Sequence, residues 1–303
     1  MKDILIVGTG ALASLFAARL SQAGYSITMF GSWKAGLDAL QKDGVRLLDS
    51  NGNEHQFPVH ATSNPKECRD IKHALVLVKA WQTEQIAEQL RECLAQDGLA
   101  VTLQNGLGNR EILAHSLGSS RVALGVTTTG ATQLGPGFVR TGGEGTISIE
   151  RHPAIGPLET GLRSANFSVS LVDDARSLIW GKLVVNAAIN PLTAVLRVPN
   201  GKLLELASAR EMMKALAREA AQVAKAEHIP LPFSDPFAAA EEVARKTAAN
   251  HSSMLQDVLR GAPTEIDAIC GAVVEIGQNH GIETPINWAC WQLIKAMAKS
   301  GVS

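Results

Sequence analysis

The sequence lacks the cysteine pattern of a disulfide framework or a zinc site. Its 303 residues include only four cysteines, and no two of them form a CxxC pair: Cys68, Cys93, Cys270 and Cys290. Scattered thiols of this kind are typical of reduced, mostly buried cysteines in a cytosolic protein. We therefore predict neither disulfides nor a metal site.

Long runs of one chemical character are missing as well. The 28 basic residues nearly balance the 29 acidic ones, and no basic stripe of the sort that binds a nucleic-acid duplex is present. Apolar runs are of strand length, below the roughly 20 residues of a membrane span. Lys2-Asp3 leads straight into such a run, so we expect no leader peptide. These absences favour a cytoplasmic protein without nucleic-acid or membrane partners.

The first half of the chain alternates strand-like and helix-like segments. Residues 4–8 (ILIVG) form the continuous apolar run of a parallel strand that is buried on both faces. Asn51-Gly52 predicts the turn of an inserted hairpin. Further strands are expected at residues 27–30, 73–78, 99–103, 122–126 and 146–150, and helices at 11–23 and 83–93. The alternation predicts an α/β domain with a Rossmann-type doubly wound sheet over residues 1–173.

After about Asp174 the periodicity becomes helical. Apolar residues recur at helical spacing in residues 202–227, 241–250, 265–279 and 286–299. Prolines lie between the periodic stretches, where we expect helix boundaries: Pro191, Pro199, Pro230, Pro232, Pro236, Pro263 and Pro285. The sequence therefore predicts a second, all-α domain over residues 174–303.

A glycine-rich turn follows the first predicted strand. Gly8, Thr9, Gly10, Ala11, Leu12 and Ala13 match the G-x-G-x-x-G/A pattern between a strand and a helix. The glycines permit a tight turn and close approach of a pyrophosphate to the helix N-terminus. This context makes a dinucleotide site a better interpretation than an ordinary turn without a ligand.

The end of the second predicted strand bears on which dinucleotide binds. An NAD-preferring site carries an acidic residue there to hold the ribose 2′-hydroxyl. This chain has Ser32-Trp33-Lys34 instead, and no acid before Asp38. We therefore expect NADP, with Ser32 and Lys34 near its 2′-phosphate. An exposed loop that binds no ligand would have a similar sequence.

Two polar residues, Lys79 and Asn105, follow later strands, at the sheet edge where such cofactors bind. Either position could equally be a plain strand terminus.

An unusual polar stripe runs along residues 179–191. This segment is apolar except for Lys182, Asn186 and Asn190, which share one helix face at four-residue spacing. An unpartnered buried lysine is costly, so an anionic or polar group is expected opposite it. Beside a nicotinamide, a lysine could protonate a carbonyl oxygen as hydride reaches the carbon. The alternative is a structural polar network between helices.

The chain resembles the ketopantoate reductase (2-dehydropantoate 2-reductase) family over nearly its whole length. The matching segments are GTGALA, LVKAWQ, QNGLGN and TTTGAT in the first half, and WGKLVVNAAINPLTAV, VPNG, AANHSSMLQD and PTEID in the second. The resemblance implies NADPH-dependent reduction of 2-dehydropantoate to (R)-pantoate in pantothenate synthesis. It also implies that the second domain carries the substrate and catalytic groups.

The resemblance assigns roles residue by residue. Lys182 is similar to the proton donor, and Glu265 to the carboxylate that positions it and contacts cofactor or substrate. Asn105 resembles a residue near the nicotinamide ribose and the substrate, and Lys79 and Thr132 resemble cofactor contacts. The substrate pocket implied by the family consists of Asn186, Asn190, Asn200, Asn250 and Ser253.

Two departures and two alternatives accompany this interpretation. Ala13 stands at the third glycine position, and the family's usual arginine after the second strand is replaced by Ser32-Trp33-Lys34. One alternative is a reductase of the same fold that acts on another 2-ketoacid. The other is an NADP-binding regulator without activity, which the presence of both Lys182 and Glu265 disfavours. A monomer and a homodimer are equally compatible with the sequence.

Overall fold

The computed structural model describes residues 3–300, without the side chains of residues 298–300. The chain forms two compact units. The N-terminal unit comprises the described residues up to Gln104 together with Asn109–Ala175, and the C-terminal unit comprises Asn105–Gly108 and the described residues from Arg176 onward. The short segment 105–108 thus groups with the second unit although its sequence neighbours belong to the first.

The described part of the N-terminal unit contains two sheets and five α-helices. The strands are β1 (Asp3–Val7), β2 (Ser26–Phe30), β3 (Val45–Leu48), β4 (Glu54–Phe57), β5 (His60–Thr62), β6 (Ile71–Val76), β7 (Leu94–Thr102), β8 (Val122–Thr127), β9 (Ala131–Gly135), β10 (Phe138–Thr141), β11 (Thr146–Glu150) and β12 (Ser168–Val172). The helices are α1 (Ala11–Gln22), α2 (Lys34–Asp43), α3 (Thr83–Cys93), α4 (Asn109–Leu117) and α5 (Gly156–Ser164).

The larger sheet has eight strands in the order β12-β11-β8-β7-β6-β1-β2-β5. Every neighbouring pair is parallel except β8 and β11. Side chains of β1 alternate between two cores: Ile4 and Ile6 pack with α1 on one face, and Leu5 and Val7 pack with α3 and α4 on the other. Burial on both faces explains the unbroken apolar run, and the predicted doubly wound α/β fold is confirmed.

The predicted hairpin forms β3 and β4, but it belongs to a second sheet. Its turn is closed by the Asp49 carboxylate, which accepts hydrogen bonds from the backbone N–H groups of Asn51 and Asn53. This sheet has the order β4-β3-β10-β9 and packs against α1. Because β3 pairs with β10 across about ninety residues of sequence, local periodicity gave no indication of the second sheet.

The C-terminal unit is helical, as predicted. Its helices are α6 (Arg176–Leu196), α7 (Lys202–Glu205), α8 (Ala207–Ala226), α9 (Pro236–Lys246), α10 (Ser253–Leu259), α11 (Ala272–Asn279) and α12 (Pro285–Ser300), with a π-helical turn at Asp267–Gly271 before α11. Helix α6 packs against α8, α9, α10 and α12 and forms the centre of the core. The expected single helix over residues 202–227 is interrupted at Leu206, whose backbone is extended.

One boundary prediction was wrong. Pro191 lies inside α6, not at the end of a helix. Proline in a helix interior removes one backbone hydrogen bond and crowds the preceding turn, which usually ends the helix. Here residues on both sides of Pro191 are buried in the helical core, and this tertiary packing holds the helix together. The prolines at positions 236 and 285 do begin helices.

Helix α6 is also longer and more apolar than the strand-sized runs expected from the sequence. Among the described residues it is the one helix that meets the length and hydropathy criteria for a membrane span, with a mean hydropathy of 1.3. Within that window 78% of the residues are buried inside the protein. Such burial is typical of the central helix of a core.

Candidate active site

The glycine turn joins β1 to α1 and leaves the start of α1 open. Gly8 has φ +133°, and its N–H donates to the Phe30 carbonyl at 2.7 Å. A Cβ at position 8 would lie 3.0 Å from the Leu77 carbonyl oxygen, so this position requires glycine on two counts. Gly10 is the N-cap of α1, and a Cβ built there meets no heavy atom within 4 Å.

The open cap suits a dinucleotide pyrophosphate. Gly10 has no side chain that could cap the N–H groups at the start of α1, where Ala11, Leu12 and Ala13 form the first turn. Such N–H groups and the positive end of the helix dipole attract phosphate oxygens. Ala13 is fully buried against the sheet, and its single methyl group is small enough for close helix–strand packing. The residues of the turn therefore fit the cofactor predicted for them.

The loop after β2 carries no carboxylate. Lys34 begins α2 and forms an exposed ion pair with Asp38, with Nζ and Oδ2 3.2 Å apart. The ring of Trp33 packs over Gly36, where a Cβ would collide with it, and Trp33 remains 41% exposed. Ser32, which precedes Trp33, is exposed as well. A 2′-phosphate contact by Ser32 and Lys34 stays a prediction.

The other cofactor residues predicted for the N-terminal unit lie on different elements. Lys79 follows β6 and precedes a short 3-10 turn, and its backbone N–H donates to the Gln82 side chain at 3.3 Å. Thr132 lies in β9 of the smaller sheet, opposite Arg140. The contacts with a cofactor inferred for both residues from the family stay predictions.

Lys182 lies in the second turn of α6, and its side chain is partly buried. Loss of hydration on burial lowers the pKa of the Lys182 ammonium to about 8, and the nearby negative charge of Glu265 opposes this shift. An ordinary lysine titrates near 10.5, so this group gives up its proton more readily. A lysine with a lowered pKa beside a carboxylate is a candidate general acid.

Glu265 and Asn105 come together from distant parts of the sequence. The Glu265 side chain is buried, and its Oε2 accepts a hydrogen bond from Asn105 Nδ2 at 3.1 Å. These two residues are 160 positions apart. Position in the sequence suggested that Asn105 belongs to the end of a sheet strand, but the fold groups it with the helical unit. Lys182, Glu265 and Asn105 therefore form one polar group in the C-terminal unit.

The asparagine stripe continues along α6 beyond Lys182. Asn186 is partly exposed and Asn190 is buried, and α6 is unbroken between them. The Thr193 hydroxyl donates to the Asn190 carbonyl at 2.9 Å and lies 2.7 Å from the hydroxyl of Ser252. Neither Thr193 nor Ser252 was predicted from the sequence, although Thr193 follows Asn190 by three residues and so extends the same face.

The remaining predicted substrate residues cluster where the loop after α6 meets the α9–α10 connection. The Asn200 side chain donates to Thr247 Oγ1 at 2.8 Å, and its backbone N–H donates to the Asn250 carbonyl at 3.0 Å. Asn200 Oδ1 is buried and finds no hydrogen-bond partner within the described part of the chain. Because buried polar atoms are normally paired, this oxygen is suited to accept from a bound hydroxyl group.

Ser253 is the first residue of α10, whereas the N-cap is Ser252. The Ser252 hydroxyl accepts from the Leu255 N–H at 3.0 Å and is buried, while Ser253 is partly exposed and Asn250 is exposed. The residue that caps α10 is therefore Ser252, and Ser253 lies inside the helix. A substrate contact by Ser253 or Asn250 stays a prediction.

The two units hold complementary chemical groups. In the first, an uncapped helix start behind a glycine turn can bind the pyrophosphate of a nicotinamide dinucleotide. In the second, an ammonium with a lowered pKa can deliver a proton to an oxygen that becomes negatively charged as hydride arrives. This combination defines the class of nicotinamide-dependent oxidoreductases.

Within that class, the chain belongs to the ketopantoate reductase family. The family described as "Ketopantoate reductase PanE/ApbA" matches residues 4–154, and its "C terminal" counterpart matches residues 174–298. The 2-dehydropantoate 2-reductase of Archaeoglobus fulgidus is 38% identical over 302 residues, covering 98% of each chain. That of Halobacterium salinarum is 32% identical over 305 residues, covering 98% of this chain and 99% of its own. The resemblance inferred from the motifs is thus confirmed.

Solved structures show the same fold. A PanE/ApbA family ketopantoate reductase from Ralstonia eutropha has a TM-score of 0.91 and 29% identity, covering 99% of this chain and all of its own. A D-mandelate dehydrogenase with NADH and anilino(oxo)acetate also has a TM-score of 0.91, at 26% identity, covering 98% of this chain and 99% of its own. At least one protein of this fold therefore binds a nicotinamide cofactor, and these two proteins are named for different substrates.

Proposed function

We propose that this protein reduces the C2 ketone of 2-dehydropantoate to (R)-pantoate with NADPH, for pantothenate and coenzyme A synthesis. The observation that carries the proposal is the pairing of Lys182 with Glu265 in the C-terminal unit, where burial lowers the pKa of Lys182 to about 8. The names of the relatives from Archaeoglobus and Halobacterium support the choice of substrate.

In this proposal the two units have different roles. Residues 1–173 bind the dinucleotide at the Gly8–Ala13 turn, and residues 174–303 bind the ketoacid and carry the catalytic groups. When bound, the reduced cofactor supplies the hydride that reaches the C2 carbon. Lys182 holds a proton at Nζ and delivers it to the C2 oxygen, where negative charge would otherwise build up.

Glu265 keeps Lys182 protonated for this step. Its carboxylate favours the ammonium form, so that Lys182 remains protonated at neutral pH in spite of its burial. Asn105 donates to the same carboxylate and restrains its orientation. We assign Glu265 and Asn105 contacts with the cofactor ribose or the substrate in addition, as the family resemblance implies.

The substrate pocket is assigned to the amides and hydroxyl predicted from the sequence. Asn186, Asn190, Asn200, Asn250 and Ser253 would bind the carboxylate and the hydroxyl group of the ketoacid. The buried Asn200 Oδ1, which has no hydrogen-bond partner among the described residues, supports a hydroxyl donor at this place, because a ligand hydroxyl would give it a partner.

NADPH is proposed over NADH because of the loop after β2. Residues 31–34 contain no carboxylate that would repel a 2′-phosphate, and Ser32 and Lys34 can donate to it. A cytoplasmic location is proposed as well, because all four cysteines are buried free thiols, which suits a reducing compartment.

A second candidate is oxidoreduction of another 2-ketoacid with a bulkier side chain. The match to D-mandelate dehydrogenase at a TM-score of 0.91 favours it, because that protein acts on an aromatic hydroxy acid and was solved with NADH. Lys182 and Glu265 would serve either substrate, since both reactions transfer hydride to a C2 ketone.

The two candidates are separated by a matrix of steady-state assays. Oxidation of NADPH and of NADH is followed at 340 nm with 2-dehydropantoate and with phenylglyoxylate. We expect kcat/KM to be at least about tenfold higher, a difference of some 1.4 kcal/mol, for NADPH with 2-dehydropantoate than for any other pairing. A higher value with phenylglyoxylate would establish the second candidate, and no turnover with either acid would refute both.

A further inference from the structure

The polypeptide widens into a π-helical turn two residues after Glu265. In this turn, Asp267–Gly271, the Ala272 N–H bonds the Asp267 carbonyl, five residues back instead of four. Short π-helical segments are rare and are found mostly at functional sites. The turn lies between Glu265 and the regular helix α11. Its geometry therefore determines the position of the Glu265 backbone, from which the side chain extends.

The segment 105–108 attaches to this turn at two points. The Leu107 N–H donates to the Ala268 carbonyl at 3.1 Å. Two residues earlier, Asn105 Nδ2 donates to Glu265 Oε2 at 3.1 Å. One contact uses the backbone of the π-turn, and the other uses the carboxylate just before it.

Gly106, between the two contacts, is in van der Waals contact with the turn. Its φ is +82°, and a Cβ there would lie 2.5 Å from the Ala268 carbonyl oxygen and 2.6 Å from the Ala268 Cβ. Any other residue would push the segment away from Ala268. Gly108, two residues on, has a similar φ of +88°, yet a Cβ there meets nothing within 4 Å.

We propose that Gly106 and the π-turn at Ala268 form a backbone clamp that positions Asn105 against Glu265 and thereby sets the geometry of the proton donor Lys182. Gly106 and Ala268 are positioning residues in this view, because they act through Asn105 and Glu265. The inference rests on the proposed role of Lys182 in reduction.

The clamp has a direct electrostatic consequence. Glu265 is the charged neighbour that favours the ammonium form of Lys182, against the effect of burial. A carboxylate that is no longer held by Asn105 can turn away, and its field at Lys182 then weakens. The pKa of Lys182 should consequently fall further when the clamp is opened.

The test compares Gly106→Ala with Gly108→Ala. Both variants carry the same cost of a non-glycine residue at positive φ, but only the first meets the Ala268 backbone. We expect Gly106→Ala to lower kcat by about 10–100-fold, since a misplacement of 1 Å can cost about 10²-fold. Gly108→Ala should stay within about threefold of the wild type, the size of a change worth less than 1 kcal/mol.

The pH profile separates positioning from a general loss of structure. In the wild-type protein kcat/KM should fall at alkaline pH as Lys182 loses its proton. Gly106→Ala should move this fall to lower pH, and Gly108→Ala should leave it in place. In a double-mutant cycle, Asn105→Ala combined with Gly106→Ala should lose little more activity than the more damaging single variant, because both break the same contact. Fully additive losses, or equal effects of the two glycine variants, would overturn the proposal.

Amide hydrogen exchange tests the clamp without any turnover. In the wild-type protein the Leu107 amide should exchange slowly, and Gly106→Ala should speed its exchange while Gly108→Ala leaves it slow. If the wild-type amide exchanged as fast as an unprotected loop, the clamp would be refuted even if Gly106→Ala failed to fold. Slow exchange in a protein that reduces no ketoacid would instead contradict the proposed function and leave the clamp intact.

Discussion

The two candidate sites are built in different ways. The dinucleotide turn in the N-terminal unit consists of six consecutive residues, and it acts through backbone N–H groups and the absence of side chains. The candidate catalytic group in the C-terminal unit combines Asn105, Lys182 and Glu265, and these residues interact through side-chain charge and hydrogen bonds. A backbone site is encoded locally, whereas a side-chain site depends on the packing of distant elements. The two sites should therefore fail in different ways when they are altered.

The largest effect is expected from Lys182→Ala. Loss of the general acid should lower kcat by about 10²–10⁴, the usual contribution of such a group. NADPH binding, measured by fluorescence titration, should change little because the cofactor turn lies in the other unit. Lys246→Ala is a matched control, since Lys246 is an exposed lysine of the same unit that pairs with Glu242. Near-normal turnover by Lys182→Ala would show that another group donates the proton.

Whereas Lys182→Ala should leave NADPH binding little changed, Gly10→Ala should weaken it. A methyl group at this position meets no protein atom, so the melting temperature should be nearly unchanged. The same methyl group would occupy the space through which a pyrophosphate approaches the helix, and we expect NADPH affinity to fall by about tenfold or more, or some 1.4 kcal/mol. Gly156→Ala, an equally open glycine at the start of α5, should bind NADPH normally. Unimpaired NADPH binding by Gly10→Ala would place the cofactor elsewhere.

A smaller effect is expected from pH alone. The general acid must carry its proton, and the pKa of Lys182 is lowered to about 8. Reduction measured as kcat/KM should therefore be level near neutrality, fall by about half at pH 8, and decline tenfold per unit above that. Lys182→Ala should lose this alkaline limb. A limb that remained at the same pH in the variant would belong to a different group.

The same pKa has a consequence of opposite sign for stability. The unfolded chain keeps its lysine protonated up to about pH 10.5, whereas the folded protein releases this proton near pH 8. The folded state is thus penalised below pH 8, and the penalty disappears as the pH rises from 8 to 10.5. This lysine therefore costs stability at the pH where it carries the proton that the proposed mechanism requires.

Local sequence predicted the first site better than the second. The glycine turn required only the succession of buried strand, glycines and helix, and the structure contains each of them in place. The polar stripe on α6 was also evident, because Lys182, Asn186 and Asn190 recur at helical spacing. The roles of Glu265, Asn200 and Ser253 came only from the family resemblance, since the local sequence around these residues does not assign them.

Other features required the fold. Pro191 was predicted to be a helix boundary because rules based on local sequence take no account of the buried core that keeps α6 intact around it. The smaller sheet was missed because β3 finds its partner β10 far along the chain. Asn105 was interpreted as the end of a sheet strand. Its hydrogen bond to Glu265 joins residues 160 positions apart and leaves no signal in the local sequence.

By itself, the sequence determined the alternation of strands and helices, the glycine turn and the polar face of α6. These follow from backbone sterics and from side-chain periodicity, which act over a few residues. Only the tertiary structure decided that segment 105–108 joins the helical unit, that the charge of Glu265 acts on Lys182, and that Asn105 donates a hydrogen bond to Glu265. Such contacts depend on which distant elements pack together, because burial and electrostatic fields arise from the whole folded unit.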